Sequence, residues 1–135
     1  MKVYSLNPAG PEVEIPLFPG TAEDLGGQVL EGSVRLRVHI DFQQDGMTAG
    51  VFEASQGKVA ILFPFSEHAT ILEGEVTLTD EAGQSHTFKP GDSYFIHKGQ
   101  RIIWDVKSPR VRKSFFHFDR QPGAVPPAPG RNAGA

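Results

Sequence analysis

Between Phe65 and Trp104 apolar and polar residues alternate with a period of two, and the alternation breaks only at residues that tolerate or pre-set turn dihedrals. Ile71-Leu72-Glu73-Gly74-Glu75-Val76-Thr77-Leu78 reads as strand, glycine turn, strand; Asp80-Glu81-Ala82-Gly83 closes a hairpin; Phe88-Lys89-Pro90-Gly91-Asp92 leads into a second apolar run ending at Trp104. Successive strand side chains face opposite ways, so this period lets each segment bury one face. A helix would need recurrence at about 3.6 residues, and no segment of useful length shows it.

Other segments extend the pattern. Val34, Leu36, Val38, Ile40 and Phe42 share one face of a strand, with Arg35, Arg37, His39 and Asp41 on the other. Gln43-Gln44-Asp45-Gly46 and Ser55-Gln56-Gly57 read as turns that delimit strands Met47 to Ala54 and Lys58 to Phe65. Val106-Lys107-Ser108-Pro109-Arg110 reads as a turn into a last strand, Val111 to Phe118, with Lys113, Phe115 and His117 on one face. Residues 29–36 resemble residues 71–78, one strand-turn-strand solution used twice within a barrel.

The flanks differ. Residues 1–28 carry Pro8, Pro11, Pro16 and Pro19 among several glycines, which forbids a long helix and predicts an extended N-terminal arm. Residues 29–120 form the barrel, and the Pro/Gly/Ala tail at 121–135 is expected to be disordered. A chain of 135 residues holds one domain. Its 15 Gly and 11 Pro require many turns, and 10 Phe supply the core. The expected fold is therefore all-β, a sandwich or barrel of the jelly-roll kind.

Composition also excludes function classes. Without cysteine there is no disulfide framework, thiolate metal site or cysteine nucleophile. A net charge of -3 offers no basic field for nucleic acid, and no apolar run is long enough to span a bilayer, so neither is an expected partner. No apolar leader follows Lys2, and a cytoplasmic location is expected.

Glu67, the spacing to Gly74, and Gly91 followed by Gly99 resemble the two motifs of the cupin superfamily, whose facing strands build a single-domain jelly-roll barrel, or double-stranded β-helix. Gly50-Val51-Phe52-Glu53, Leu72-Glu73-Gly74, Pro90-Gly91-Asp92, Trp104 and Arg112-Lys113 are similar to the branch containing ureidoglycine aminohydrolase and the ethanolamine-utilisation cupins. The family's usual metal centre has three histidines and a glutamate. Here Glu67 stands at the glutamate position, but Ile61 and Phe63 (or Ala60 and Leu62) and Ile102 occupy the histidine positions.

One carboxylate does not hold a transition ion, which needs three or four converging ligands. No metal ligands are assigned and no cofactor is expected; a divalent transition metal would require a bulge bringing His68 beside Glu67. His39, His86, His97 and His117 are scattered singly. The resemblance implies that Glu67 and Trp104 face inward, with Lys113 or His117 joining from the last strand. Glu67 and Lys113 are the candidate catalytic residues; Trp104, Tyr94 and His117 are the candidate substrate-binding residues. The alternative makes Trp104 a core plug, Lys113 and Arg112 exposed strand charges and Glu67 a rim carboxylate. Two functions follow: a small-molecule-binding cupin, or enzyme, for a small polar nitrogen-containing metabolite; or a non-catalytic ligand-binding or structural module. A homodimer is expected in either case.

Overall fold

In the computed structural model, which describes residues 1–6, 18–20, 23 and 26–119, two long strands join the halves of the barrel. They are β4 (Met47–Leu62) and β9 (Arg101–Phe118), antiparallel from Met47 opposite Phe118 to Leu62 opposite Arg101. The remaining strands are β1 (Phe18–Gly20), β2 (Gly27–Glu31), β3 (Leu36–Gln44), β5 (Ser66–Glu73), β6 (Val76–Thr79), β7 (Ser85–Phe88) and β8 (Ser93–Ile96). One face follows the order β1-β3-β4-β9-β5-β8; β2 pairs with the second half of β4, and β6 pairs with β9 and β7. The described residues are all-β and antiparallel, the jelly-roll architecture expected from the period-two pattern.

The turns expected at Ser55-Gln56-Gly57 and Val106 to Arg110 are not chain reversals. Both lie inside continuous strands, where the register slips between Ser55 opposite Arg110 and Gly57 opposite Val106. A slip of this kind bends a strand and raises its twist, which carries one strand from one sheet to the other. Gly57 sits at φ 148°, and a Cβ there would lie 2.5 Å from Val34 Cγ2 and 2.7 Å from the Glu31 carbonyl oxygen. The glycine signal was real, but it marks a barrel corner.

The other turns are local. Asp80 closes the β6/β7 hairpin by accepting the backbone N–H groups of Ala82 and Gln84 at 3.0 and 2.9 Å. The Pro90-Gly91-Asp92 turn docks on β5 through Gly91 N–H to the Ile71 carbonyl and Ile71 N–H to the Asp92 carbonyl.

Ile71, Val76, Val106 and Val111 are the largest side chains with almost no exposure, and they fill the barrel with Leu78, Ile96, Ile102, Trp104 and Phe115. Each such aliphatic burial stabilises by roughly 1.5–3 kcal/mol. Part of the expected 1–28 arm is strand: β1 pairs with β3, and β2 begins at Gly27. Tyr4 donates to Asp41 at 2.7 Å, which ties the first residues to β3. The 121–135 tail and most of the arm lie outside the described residues.

Candidate functional site

Because side chains alternate along β9, Val111, Lys113, Phe115 and His117 point one way, into the barrel. Register then determines their neighbours: His117 lies opposite Glu67 on β5 and Thr48 on β4, Phe115 opposite Ala69, and Lys113 opposite Phe52. Tyr94 on β8 pairs with Ala69, two residues from Glu67 on the same face. Three strands, β5, β8 and β9, thus place three polar side chains at one point.

Those three close a ring. Lys113 Nζ donates to Glu67 Oε2 at 2.7 Å and to Tyr94 Oη at 2.7 Å, while the Tyr94 hydroxyl donates to the same Glu67 Oε2 at 2.6 Å. All three are buried, with relative exposures of 3% for Glu67, 5% for Lys113 and 7% for Tyr94. The ammonium also lies 4.6 Å from the ring centroids of both Phe52 and Trp104 and 5.4 Å from that of Tyr94. A desolvated cation gains about 2 kcal/mol or more against an aromatic face, so the rings supplement the carboxylate. Burial, then the negative charge of Glu67 and its hydrogen bond, hold the Tyr94 hydroxyl well above the ordinary phenol pKa. It therefore remains a proton donor at neutral pH.

His117 completes the group. Its ring packs edge-on against Phe65 at 3.8 Å and Phe115 at 5.0 Å, and its Nδ1 is buried with no hydrogen-bond partner among the described residues. Burial lowers its pKa below 6.5, helped by Lys113 and opposed by Glu67 and Asp119, so the imidazole is neutral at pH 7. An unmet polar atom inside a protein costs about 1–3 kcal/mol, which makes Nδ1 a natural point for a ligand hydrogen bond.

The five candidate residues Glu67, Lys113, Tyr94, Trp104 and His117 therefore line one interior, and the rim-carboxylate and exposed-lysine alternatives do not describe it. Trp104 stacks on a cation, but that cation is Lys113. Phe52 stands in the sequence only as part of the branch motif; its place opposite Lys113 follows once β4 and β9 are paired.

The reading of Arg112 as an exposed strand charge is also overturned. Arg112 points away from the interior and is 2% exposed, donating to Glu53 Oε1 at 2.7 Å, while Arg37 donates to Glu53 Oε2 at 3.1 Å. The period of two places Arg112 on the outward face, which by itself suggests solvent. Only the register reveals that Glu53 lies directly opposite it.

The family's metal centre does not fit the residues present. Among the described residues no three His, Asp or Glu side chains are grouped to hold an ion. His68 is exposed on the outer face between Phe95 and Phe116, and the β5 bulge falls at Ile71 to Glu73, too far along to turn it inward. Glu67 is already committed to an ammonium.

The model for the EutQ-like cupin domain matches residues 42–115, more than half of the chain. The chain belongs to the EutQ-like cupin family. No curated protein matches its sequence. Among solved structures, this cupin is similar to the EutQ protein of Clostridium difficile at 17% identity and TM-score 0.57, covering 64% of this chain and 70% of that one. It is similar to the putative ethanolamine utilisation protein of Salmonella typhimurium at 23% identity and TM-score 0.54, covering 64% and 71%. A DUF861-family protein of unknown function from Pseudomonas syringae matches at 21% identity and TM-score 0.66, over 76% of this chain and 44% of that one. These likenesses establish the barrel; the wide range of functions on it leaves the cupin's own activity to its site residues.

Proposed function

We propose that this cupin binds a small polar metabolite inside the barrel and acts on it by proton transfer, without the three-histidine metal centre of its superfamily. The observation that carries the reading is the buried Glu67/Lys113/Tyr94 ring with the unmet Nδ1 of His117 beside it. Such a site combines an acceptor (Glu67), a permanent donor (Tyr94), a fixed cation (Lys113) and a neutral base (His117) on apolar walls, the usual form of a small-molecule site. A nitrogen-containing ligand would enter as an amide or ureido group. A free ammonium would have to displace Lys113 from Phe52 and Trp104.

Native mass spectrometry with elemental analysis of protein purified without added metal tests this. A retained small molecule that is lost in Glu67→Gln, with the fold intact by circular dichroism, is the expected result. Stoichiometric manganese, iron, nickel or zinc, or a retained molecule indifferent to Glu67, would overturn it.

The mutual satisfaction of the three groups favours a second reading, in which the ring is a polar plug and the cupin is a non-catalytic module. Unchanged turnover or binding in Glu67→Gln would select it. For either reading we propose a homodimer. Phe116, His68 and Phe95 lie side by side across β9, β5 and β8 on the outer face, with Phe116 45% and Phe95 63% exposed. Apolar pairing of that face with a second copy would cover them.

A further inference from the structure

We infer that Lys113 is a carbonyl-capturing lysine, and that the barrel takes small uncharged aldehydes or ketones as covalent imines. The inference goes beyond proton transfer but rests on the reading that the interior admits a small molecule. Its basis is the combination of a buried primary amine, a carboxylate and a phenol each within 2.7 Å of its nitrogen, and two further aromatic faces around it.

The step balances without any further reactant. Lys113 begins as the ammonium and passes one proton to Glu67 Oε2, the carboxylate oxygen 2.7 Å away. The freed lone pair forms a bond to the carbonyl carbon, and the carbonyl π electrons move to oxygen. Tyr94 and the protonated Glu67 deliver protons to that oxygen, the nitrogen gives one of its two remaining protons to the Tyr94 phenolate, the C–O bond breaks, and water leaves as the C=N bond forms. The sum is ammonium plus carbonyl giving iminium plus water, with Glu67 returned to carboxylate and Tyr94 to phenol.

The surroundings suit this product. The iminium carries the same single positive charge as the ammonium it replaces. It remains beside Glu67 and against the faces of Phe52 and Trp104, so no new buried charge is created. His117, neutral and with Nδ1 unpaired, can accept a hydrogen bond from the carbinolamine hydroxyl as it forms.

The site also selects substrate charge. Among the described inward polar residues, Thr48, Glu67, Tyr94, Lys113 and His117, the single cation is already paired. A keto acid would set its carboxylate near Glu67 with no second cation to offset it, whereas an aliphatic aldehyde brings no charge.

The test is reductive trapping at pH 7 with cyanoborohydride, using butyraldehyde and pyruvate as separate probes, followed by peptide mass mapping. Expected is one butyl group per chain on Lys113 before the other five lysines react, with pyruvate at least tenfold slower. Glu67→Gln should slow trapping tenfold or more; should that variant not fold, Tyr94→Phe serves in its place with the same expectation. Adducts spread over the other lysines with Lys113 unmodified would refute the inference. Fluorescence of Trp104, the one tryptophan, separates the two failures. Saturable quenching by butyraldehyde without trapping refutes imine formation and leaves the binding reading standing. Neither quenching nor trapping refutes both.

Discussion

Lys113→Met strips the ammonium from a carboxylate buried at 3% exposure and leaves Glu67 with only the Tyr94 hydroxyl at 2.6 Å. Breaking a buried ion pair from one side costs about 3–5 kcal/mol, because the stranded charge remains desolvated. Replacing both partners, Glu67→Gln with Lys113→Met, removes the charge along with its partner and should cost much less. A double-mutant cycle is therefore expected to show coupling of about 2–4 kcal/mol. Domains of this kind are stable by roughly 5–15 kcal/mol, so the single variant should remain folded with its urea midpoint lowered by about 2 M. Trp104, 4.6 Å from the ammonium, reports the transition by fluorescence. Single substitutions that each cost less than about 1 kcal/mol and add without coupling would show the pair to be solvated, and would refute the reasoning.

Tyr94→Phe removes the donor to Glu67 and should destabilise by about 1.5–3 kcal/mol in the same urea assay. Because the pKa of His117 is lowered by burial, the unfolded chain takes up its proton first as pH falls below 6.5; the stability this group contributes is complete above that value and is lost on acidification down to its folded pKa. His117→Gln should flatten that part of the stability profile, and an unaltered slope would contradict the assignment. A Cβ at Gly50 would collide with the His39 carbonyl oxygen across the β3/β4 ladder, so Gly50→Ala should cost more than about 1 kcal/mol in thermal unfolding. Light scattering should give a dimer mass at micromolar concentration for the parent and a monomer for Phe95→Asp with Phe116→Asp.

Strand faces were legible wherever a period of two alone decides them, but not at the end of β3, where a bulge between Ile40 and Phe42 breaks the alternation and leaves both exposed. Lys113, Phe115 and His117 could be placed together from spacing alone, whereas Tyr94 and Phe95, adjacent and both aromatic, give no sign of which is inside; the structure turns Tyr94 inward and leaves Phe95 63% exposed. The corners were not legible, since Gly57 and Pro109 read equally well as the end of a strand or a bend within one, and only the pairing of β4 with β9 distinguishes them. Site chemistry was half legible. Glu67 and Lys113 are both legible as candidates, but that Lys113 faces Glu67 depends on a contact across 46 positions, and that it faces Trp104 depends on the corner within β9. Arg112 shows the same limit from the other side: alternation tells which way it points, not what covers it.

The long β4/β9 pairing has a kinetic consequence. Its partners are separated by the whole of β5 to β8, so their contacts must wait until a large loop has closed, and topologies dominated by such distant pairs fold in milliseconds to seconds. Phe52 and Lys113 meet only across that pairing. The ammonium thus stays in water while the barrel is open and loses its hydration at the closing step, so the fluorescence of Trp104 should time the end of folding.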